Sequence, residues 1–248
     1  FILLSDFGDQ LLLNTLNDDT AEIFYPNAIN TLLDIHRCTT TKDLTIPSFN
    51  EKQLLTELHW FQQWYVETFF GHDLTSKQQQ LWQDVQQHLV ENALSQPQVL
   101  LHKDYHCRNL MVIDNNHLGI LDFQDAIYGP ITYDIASLLN DCYIDWPRDK
   151  VENWCVLFQH QLQQNNLLEP VSQQQFMRWF DLTSLQRHLK NLGNFVRLSH
   201  QQNKQQYLRY LPRMCSYIDA ICQRHATLHP FHHWLQELQA TPRQQTTL

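Results

Sequence analysis

Helical periodicity runs through nearly the whole chain and breaks once, between residues 98 and 122. Residues 51–69 place Leu54, Leu58, Phe61, Tyr65 and Phe69 on one face at helical spacing. Residues 75–94 open with Thr75-x-x-Gln78, a capping-box signature, and continue with Leu81, Val85 and Leu89. From residue 131 the pattern is helical almost to the end, with a stripe of Leu182, Leu185, Leu189, Leu192 and Val196. Inside the break, Gln98–Leu101, Leu110–Ile113 and Leu118–Leu121 read as three short apolar strands. Strands this few and short do not make the main core of a domain. The pattern predicts a mostly helical α+β fold in which the strands build a site.

Composition narrows what that site can be. The 5 glycines are Gly8, Gly71, Gly119, Gly129 and Gly193, too dispersed for a glycine-rich phosphate loop. A formal net charge of −9 repels nucleic-acid backbones and anionic lipid surfaces, so neither is expected as a partner. A nucleotide stays compatible, because a bound Mg²⁺ supplies the missing positive charge. The 6 cysteines contain no C-x-x-C pair and read as reduced thiols of a cytoplasmic protein. No apolar run is long enough to span a membrane, and no signal peptide is visible. Phe1–Leu4 reads as the tail of a buried strand, which leads us to expect further residues upstream.

The strongest chemistry lies in the break. With Asn115 and Asn116 as a two-residue turn, Asp114 faces His117, Ile113 faces Leu118 and Leu110 faces Leu121. The next facing pair is then Asn109 and Asp122. Directly opposed residues have Cβ atoms about 4.5–5.5 Å apart, close enough for both side chains to reach one hard cation. Mg²⁺ takes one or two such protein ligands and completes its shell with water and phosphate oxygens. Five residues before Asn109, in the irregular segment from His102, Asp104 can orient a hydroxyl nucleophile and accept its proton. Phosphoryl transfer asks for little else.

His102-x-Asp104-x-x-x-x-Asn109 followed by Asp122-Phe123 resembles the catalytic loop and metal-binding segment of protein-kinase-like enzymes. The fuller runs are H-K-D-Y-H-C-R-N-L and L-D-F-Q-D-A-I-Y-G-P-I-T-Y-D-I-A-S-L-L. They are similar to the aminoglycoside phosphotransferase superfamily, and closest within it to the bacterial N-acetylmuramate/N-acetylglucosamine anomeric kinases of cell-wall recycling. Leu139–Ile144 and Gln186–Gly193 extend that likeness. The resemblance implies the larger, C-terminal lobe of the protein-kinase-like fold. Residues 1–10 would be the last strand of the small lobe and a hinge remnant. Residues 11–248 would be the helical lobe, with its catalytic and metal-binding segment at 98–125. Asp104 would be the base, Asn109 and Asp122 the Mg²⁺ ligands, and Asp134 a brace for the loop. Ser5, Asp6 and Phe7 would meet the adenine edge of ATP, with Met111 and Leu121 as its apolar floor. The small lobe's phosphate-covering loop and strand lysine have no counterpart in the sequence, so the chain alone is expected to bind ATP poorly and turn over little.

Other residues carry weaker expectations. His102 reads as a packed, hydrogen-bonded support. Glu57, Trp60 and Trp64 share a helical face and are candidates to line a sugar pocket, with core packing of the tryptophans equally common. Arg108 is a candidate contact for the acceptor or a phosphate, with a surface pair to Asp125 as the plainer reading. Asp141 and Tyr143 are substrate-side candidates by resemblance alone. Arg187, Lys190 and Arg197 are candidates to attract an anionic substrate such as a lactyl carboxylate, with a solvated basic helix face as the more usual reading, and the cysteines read as inert. The function expected is an ATP- and Mg²⁺-dependent sugar kinase. Its rivals are an aminoglycoside or choline-type kinase and a non-catalytic module that reuses the fold. A cleft wall left uncovered would favour a dimer.

Overall fold

The computed structural model describes residues 5–38, 45–114 and 117–241. Phe1–Leu4 and the turn residues Asn115 and Asn116 lie outside them. In chain order the elements are α1 (Leu12–Thr15), α2 (Asp18–Arg37), α3 (Glu51–Trp60), a π-helix (Phe61–Phe69), α4 (Ser76–Leu94), β1 (Gln98–Leu101), β2 (Leu110–Val112), β3 (Leu118–Ile120), β4 (Ile127–Pro130), α5 (Tyr133–Leu139), α6 (Arg148–Gln164), α7 (Gln173–Gln202), α8 (Leu211–Arg224) and α9 (His229–Ala240). The mostly helical α+β architecture matches the periodicity. The capping box foreseen at Thr75 and Gln78 starts α4, and equivalent boxes start α2 at Asn17 and α3 at Asn50. Each satisfies backbone N–H groups that the first helical turn leaves unpaired.

The chain forms two compact units. The first comprises Phe1–Phe49 and Gln96–Phe180. Its core gathers Phe24, Tyr25, Ile29 and Leu32 of α2 with Ile135 and Leu138 of α5, Trp154 and Phe158 of α6, and Phe176 and Phe180 of α7. Tyr25 stacks on Trp154 with centroids 4.3 Å apart, and its hydroxyl accepts the Trp146 Nε1–H at 2.6 Å. Two antiparallel strand pairs stand on this core, β1 with β4 and β2 with β3. Strand β4 was not foreseen. Its signal was present as Ile127-Tyr128 before Gly129-Pro130, a β-former pair running into turn residues. Gly129 is needed there, because a Cβ would lie 2.5 Å from Leu101 and 2.6 Å from Phe49.

The second unit comprises Asn50–Ser95 and Asp181–Leu248. Phe61, Trp82, Phe231 and Trp234 make its aromatic centre. The stripe expected on α7 is buried at all five positions, from Leu182 to Val196. The single helix expected over 51–69 changes to a π-helix after Trp60. Side-chain bonds follow the wider spacing: Gln62 Nε2–H donates to Glu67 at 2.8 Å and the Thr68 hydroxyl to the Gln63 carbonyl at 2.7 Å. At the same point α7 brings Gly193 against the Trp60 backbone, where a Cβ would meet the Trp60 carbonyl carbon at 2.2 Å.

Each unit buries a histidine whose two ring nitrogens have no hydrogen-bond partner. His36 lies edge-on to Phe158, and His188 stacks on Tyr217. Desolvation lowers each to a pKa of about 3, helped at His188 by Arg187.

Two predictions follow from this packing. Gly193→Ala gains about 1 kcal/mol of helix propensity. The backbone overlap outweighs it, so the variant should unfold about 1–3 kcal/mol more easily in urea. Unchanged or raised stability would show that α7 moves aside freely. The histidines give an acid dependence. Their folded pKa values lie below the unfolded 6.5, so their contribution is complete above pH 6.5 and is lost as pH falls towards about 3. Each should add a slope approaching about 1.4 kcal/mol per pH unit. Urea midpoints between pH 7.5 and 5 should therefore fall, and less steeply in His36→Leu. A flat profile over that range would contradict the burial of both rings.

Candidate active site

The hairpin register corrects one expectation. Strand β2 pairs Leu110 with Ile120, Met111 with Gly119 and Val112 with Leu118, one residue out from the predicted alignment. Ile113 N–H donates to the His117 carbonyl at 3.1 Å and Leu121 N–H to the Asn109 carbonyl at 2.9 Å, so Asn109 faces Leu121 and not Asp122. The connection is thus one residue longer than a two-residue turn. A one-residue slip turns the next side chain to the opposite face of the sheet. That face carries Leu110, Val112, Leu118 and Ile120 and packs on the first unit's core. Asp122 avoids it by adopting a left-handed backbone with φ of 64°, which ends the alternation and leaves the side chain exposed. Gln124 Nε2–H donates to its carboxylate.

The other hairpin face carries Asn109, Met111, Gly119 and Leu121 by alternation. Residues 5–11 run beside it. Val112 N–H donates to the Gln10 carbonyl at 2.8 Å, and Leu11 bridges Met111. Phe7 seats its ring on Gly119, where a Cβ would meet it at 2.6 Å. Met111 is buried and Leu121 is 37% exposed. Phe7, Met111 and Leu121 therefore share one face with Asn109. Ser5 and Asp6 are exposed, and the Asp6 carboxylate accepts Gly8 N–H at 2.8 Å. A cavity of about 440 Å³ lies in this unit, lined by residues including Phe7, Leu101, His102, Ile120 and Phe123.

The loop between β1 and β2 is held by side chains distant in sequence. Fully buried Asp134, in the first turn of α5, accepts His102 N–H at 2.6 Å and Lys103 N–H at 2.9 Å. Those bonds hold Lys103 at a φ of 78°, a conformation an L-residue seldom adopts. The buried His102 ring donates its Nε2–H to the Leu121 carbonyl at 2.8 Å, tying the loop to the end of β3. Tyr105 is fully buried and donates its hydroxyl hydrogen to the Ala28 carbonyl at 2.8 Å. Asp104 is half-buried between these anchors, and its carbonyl accepts the Asn109 Nδ2–H at 3.0 Å. With its amide hydrogen so used, Asn109 presents Oδ1 as the atom able to meet a cation.

Asp141 supplies a further anchor. Its buried carboxylate accepts Cys107 N–H at 3.1 Å and Tyr143 N–H at 2.9 Å. The Arg108 guanidinium lies 4.7 Å over the Tyr143 ring, and the His106 ring meets the same ring edge-on at 5.4 Å. Spacing could not reveal this stack, because its members are 35 residues apart and no periodicity joins them. Burial pushes the Cys107 thiol well above its ordinary range and the Cys222 thiol up to about 12, which leaves both unreactive.

Glu57, Trp60 and Trp64 belong to the second unit, and there they meet α7. Buried Glu57 accepts the Gln186 Nε2–H at 3.1 Å and pairs with Lys190 at 3.5 Å. Arg197 lies 5.0 Å over the Trp60 ring, and Trp64 packs on His200 at 5.7 Å. The solvated basic face expected on α7 is overturned as well. Arg187 is buried, Lys190 pairs with Glu57, and Arg197 lies over the Trp60 ring.

Among the described residues no helix is long and apolar enough to cross a membrane. The model of the phosphotransferase enzyme family matches residues 1–169. The N-acetylmuramate/N-acetylglucosamine kinase of Pseudomonas putida is 40% identical over 243 residues, covering 98% of this chain and 71% of that protein. Among solved structures, the ethanolamine kinase of Plasmodium vivax superposes with a TM-score of 0.59 at 15% identity, over 92% of this chain and 65% of its own. An ADP-bound aminoglycoside phosphotransferase superposes with a TM-score of 0.53 at 12% identity, over 84% and 68%. Kinase-fold neighbours thus share the architecture. The chain belongs to the phosphotransferase enzyme family.

Proposed function

We propose that the protein transfers the γ-phosphoryl group of ATP to the anomeric hydroxyl of N-acetylmuramate or N-acetylglucosamine. One observation carries the acceptor: the 40% identity to a kinase named for these sugars extends over 98% of the chain. The fold neighbours are too distant in sequence to bear on the acceptor. In support of a nucleotide co-substrate, one of them holds ADP on the same architecture.

Asp104 orients the sugar hydroxyl and receives its proton as the oxygen attacks the γ-phosphorus. The new O–P bond forms while the bridging bond to the β-phosphate breaks, and ADP leaves. A hemiacetal hydroxyl is more acidic than an ordinary alcohol, so a carboxylate of modest basicity serves. Asn109 Oδ1 and the exposed Asp122 carboxylate would be the oxygen ligands of Mg²⁺, a cation that binds few protein groups when phosphate supplies the rest. Bound there, Mg²⁺ would neutralise charge on the phosphates. Phe7, Met111 and Leu121 would lie against the base, with Ser5 and Asp6 at its polar edge. Asp134 and His102 would keep the loop in place without touching the reactants. The reading puts the enzyme in the cytoplasm, serving the recycling of cell-wall sugars. In support of a reducing compartment, all six cysteines are free.

The full-length protein with ATP and Mg²⁺ should form sugar 1-phosphate from one or both amino sugars, detected by mass spectrometry. Asp104→Asn should lower kcat by about 10²–10⁴. A wild type that phosphorylates kanamycin or choline but neither sugar would replace the acceptor. An Asp104→Asn enzyme at full rate would remove the base. Chelation should abolish turnover, and Asp122→Asn should demand a higher Mg²⁺ concentration for half-maximal rate. An unchanged Mg²⁺ requirement in that variant would take Asp122 out of the ligand set.

A further inference from the structure

Gln96 lies in the connection between α4 and β1 and is only 3% exposed, and the loop motif does not account for it. Its side chain answers a local problem in the sheet. Strands β1 and β4 pair Gln98 with Pro130, and the same register continued outward sets Pro97 opposite Ile131 and Gln96 opposite Thr132. Pro97 and Pro130 bring no N–H to this end of the ladder. Ile131 N–H still donates to the Pro97 carbonyl at 3.0 Å. One step further the Gln96 side chain takes over. Its Oε1 accepts the Thr132 hydroxyl hydrogen at 2.7 Å and Thr132 N–H at 3.3 Å.

Thr132 is the residue that starts α5, where a threonine side chain ordinarily accepts an N–H of the first turn. It makes no such bond here, and its hydroxyl hydrogen goes to Gln96. Thr132 is fully buried, and its carbonyl accepts Ala136 N–H at 3.0 Å. Two residues on, the Asp134 carboxylate accepts His102 N–H and Lys103 N–H. Strand β1 is therefore tied to one turn of helix at both ends. Gln96 and Thr132 make the tie before its first residue, and His102, Lys103 and Asp134 make it after its last. All of these residues belong to the first unit. A helical turn can grip two loop N–H groups only while its own start stays in place.

We propose that Gln96 is a positioning residue for the phosphoryl transfer: by fixing Thr132 it fixes the start of α5, and through Asp134 the loop that carries Asp104. The proposal rests on the kinase reading, in which Asp104 meets the acceptor hydroxyl.

The test uses the full-length protein, with the folded fraction of each variant checked by thermal unfolding. Gln96→Met keeps the length of the side chain and removes the shared acceptor. Thr132→Val keeps the shape and removes the hydroxyl. Each should lower kcat about three- to thirtyfold and leave KM for the sugar within about twofold, because a displaced base slows transfer without changing how the reactants are held. Thr132→Ser restores the hydroxyl and should recover most of the rate. The double variant should be no slower than the slower single one, because both act through one contact. A wild-type kcat in folded Gln96→Met overturns the proposal, and so do losses that multiply in the double variant. If Gln96→Met does not fold, Thr132→Val set against Thr132→Ser decides in the same way.

Amide hydrogen exchange gives a readout without turnover. His102 and Lys103 N–H should exchange about tenfold faster in Gln96→Met and Thr132→Val than in the wild type, while amides of α9 keep their rates. Unchanged exchange at both loop amides overturns the proposal. A wild type that phosphorylates neither amino sugar withdraws the acceptor reading, and the exchange rates then decide by themselves whether Gln96 holds the loop.

Discussion

The grip of the Asp134 carboxylate on two consecutive backbone N–H groups is the constraint on which the rest of the site depends. Asp134 is on a helix of the first unit's core and cannot move without it. Hydrogen bonds to a charged acceptor contribute about 1.5–3 kcal/mol each. That is enough to hold Lys103 in a left-handed conformation, which costs about 1–3 kcal/mol. The strain sits one residue before Asp104, so that carboxylate is placed by a backbone that has few alternatives. His102 closes the frame by bonding the Leu121 carbonyl, which couples the loop to the residue just before Asp122. One buried acid therefore sets the loop, and one buried histidine links it to the segment that carries Asp122.

The sequence reading succeeded where local physics decides. Capping boxes and the α7 stripe are properties of a single helix, and Thr75, Gln78 and the five apolar positions on α7 were legible for that reason. The loop motif was legible because its members are within eight residues of one another. The hairpin register was not. Asn-Asn is a good two-residue turn, yet a longer connection keeps Leu110, Val112, Leu118 and Ile120 together on the core side, and burial of four side chains outweighs turn preference. The aspartate at positive φ is the consequence of that choice, and aspartate tolerates the conformation better than most residues.

The helix change after Trp60 was illegible for a different reason. Apolar residues at 54, 58, 61, 65 and 69 fit an α-helical stripe, and nothing local announces a wider turn. The cause is tertiary, for the change falls where Gly193 of α7 touches the Trp60 backbone. Glu57, Trp60 and Trp64 all make contacts with α7, Glu57 with Gln186 and Lys190, Trp60 with Arg197 and Trp64 with His200.

An acidic chain that handles an anionic co-substrate must concentrate positive charge locally without cancelling it. Two of the loop's cations lie against aromatic rings. Lys103 lies 5.7 Å from the centre of the Phe49 ring and Arg108 4.7 Å from that of Tyr143. An aromatic face attracts a cation through its quadrupole and carries no net charge, so the field of the ammonium or guanidinium still reaches outward. Both rings are anchored by the first unit's own backbone bonds, Phe49 through its N–H to the Tyr128 carbonyl and Tyr143 through its N–H to Asp141. The Asp134 carboxylate accepts His102 and Lys103 N–H, and the Asp141 carboxylate accepts Cys107 and Tyr143 N–H. Carboxylates hold the loop's backbone and neutral rings lie against two of its cations, which places positive charge in the loop of a protein of net charge −9.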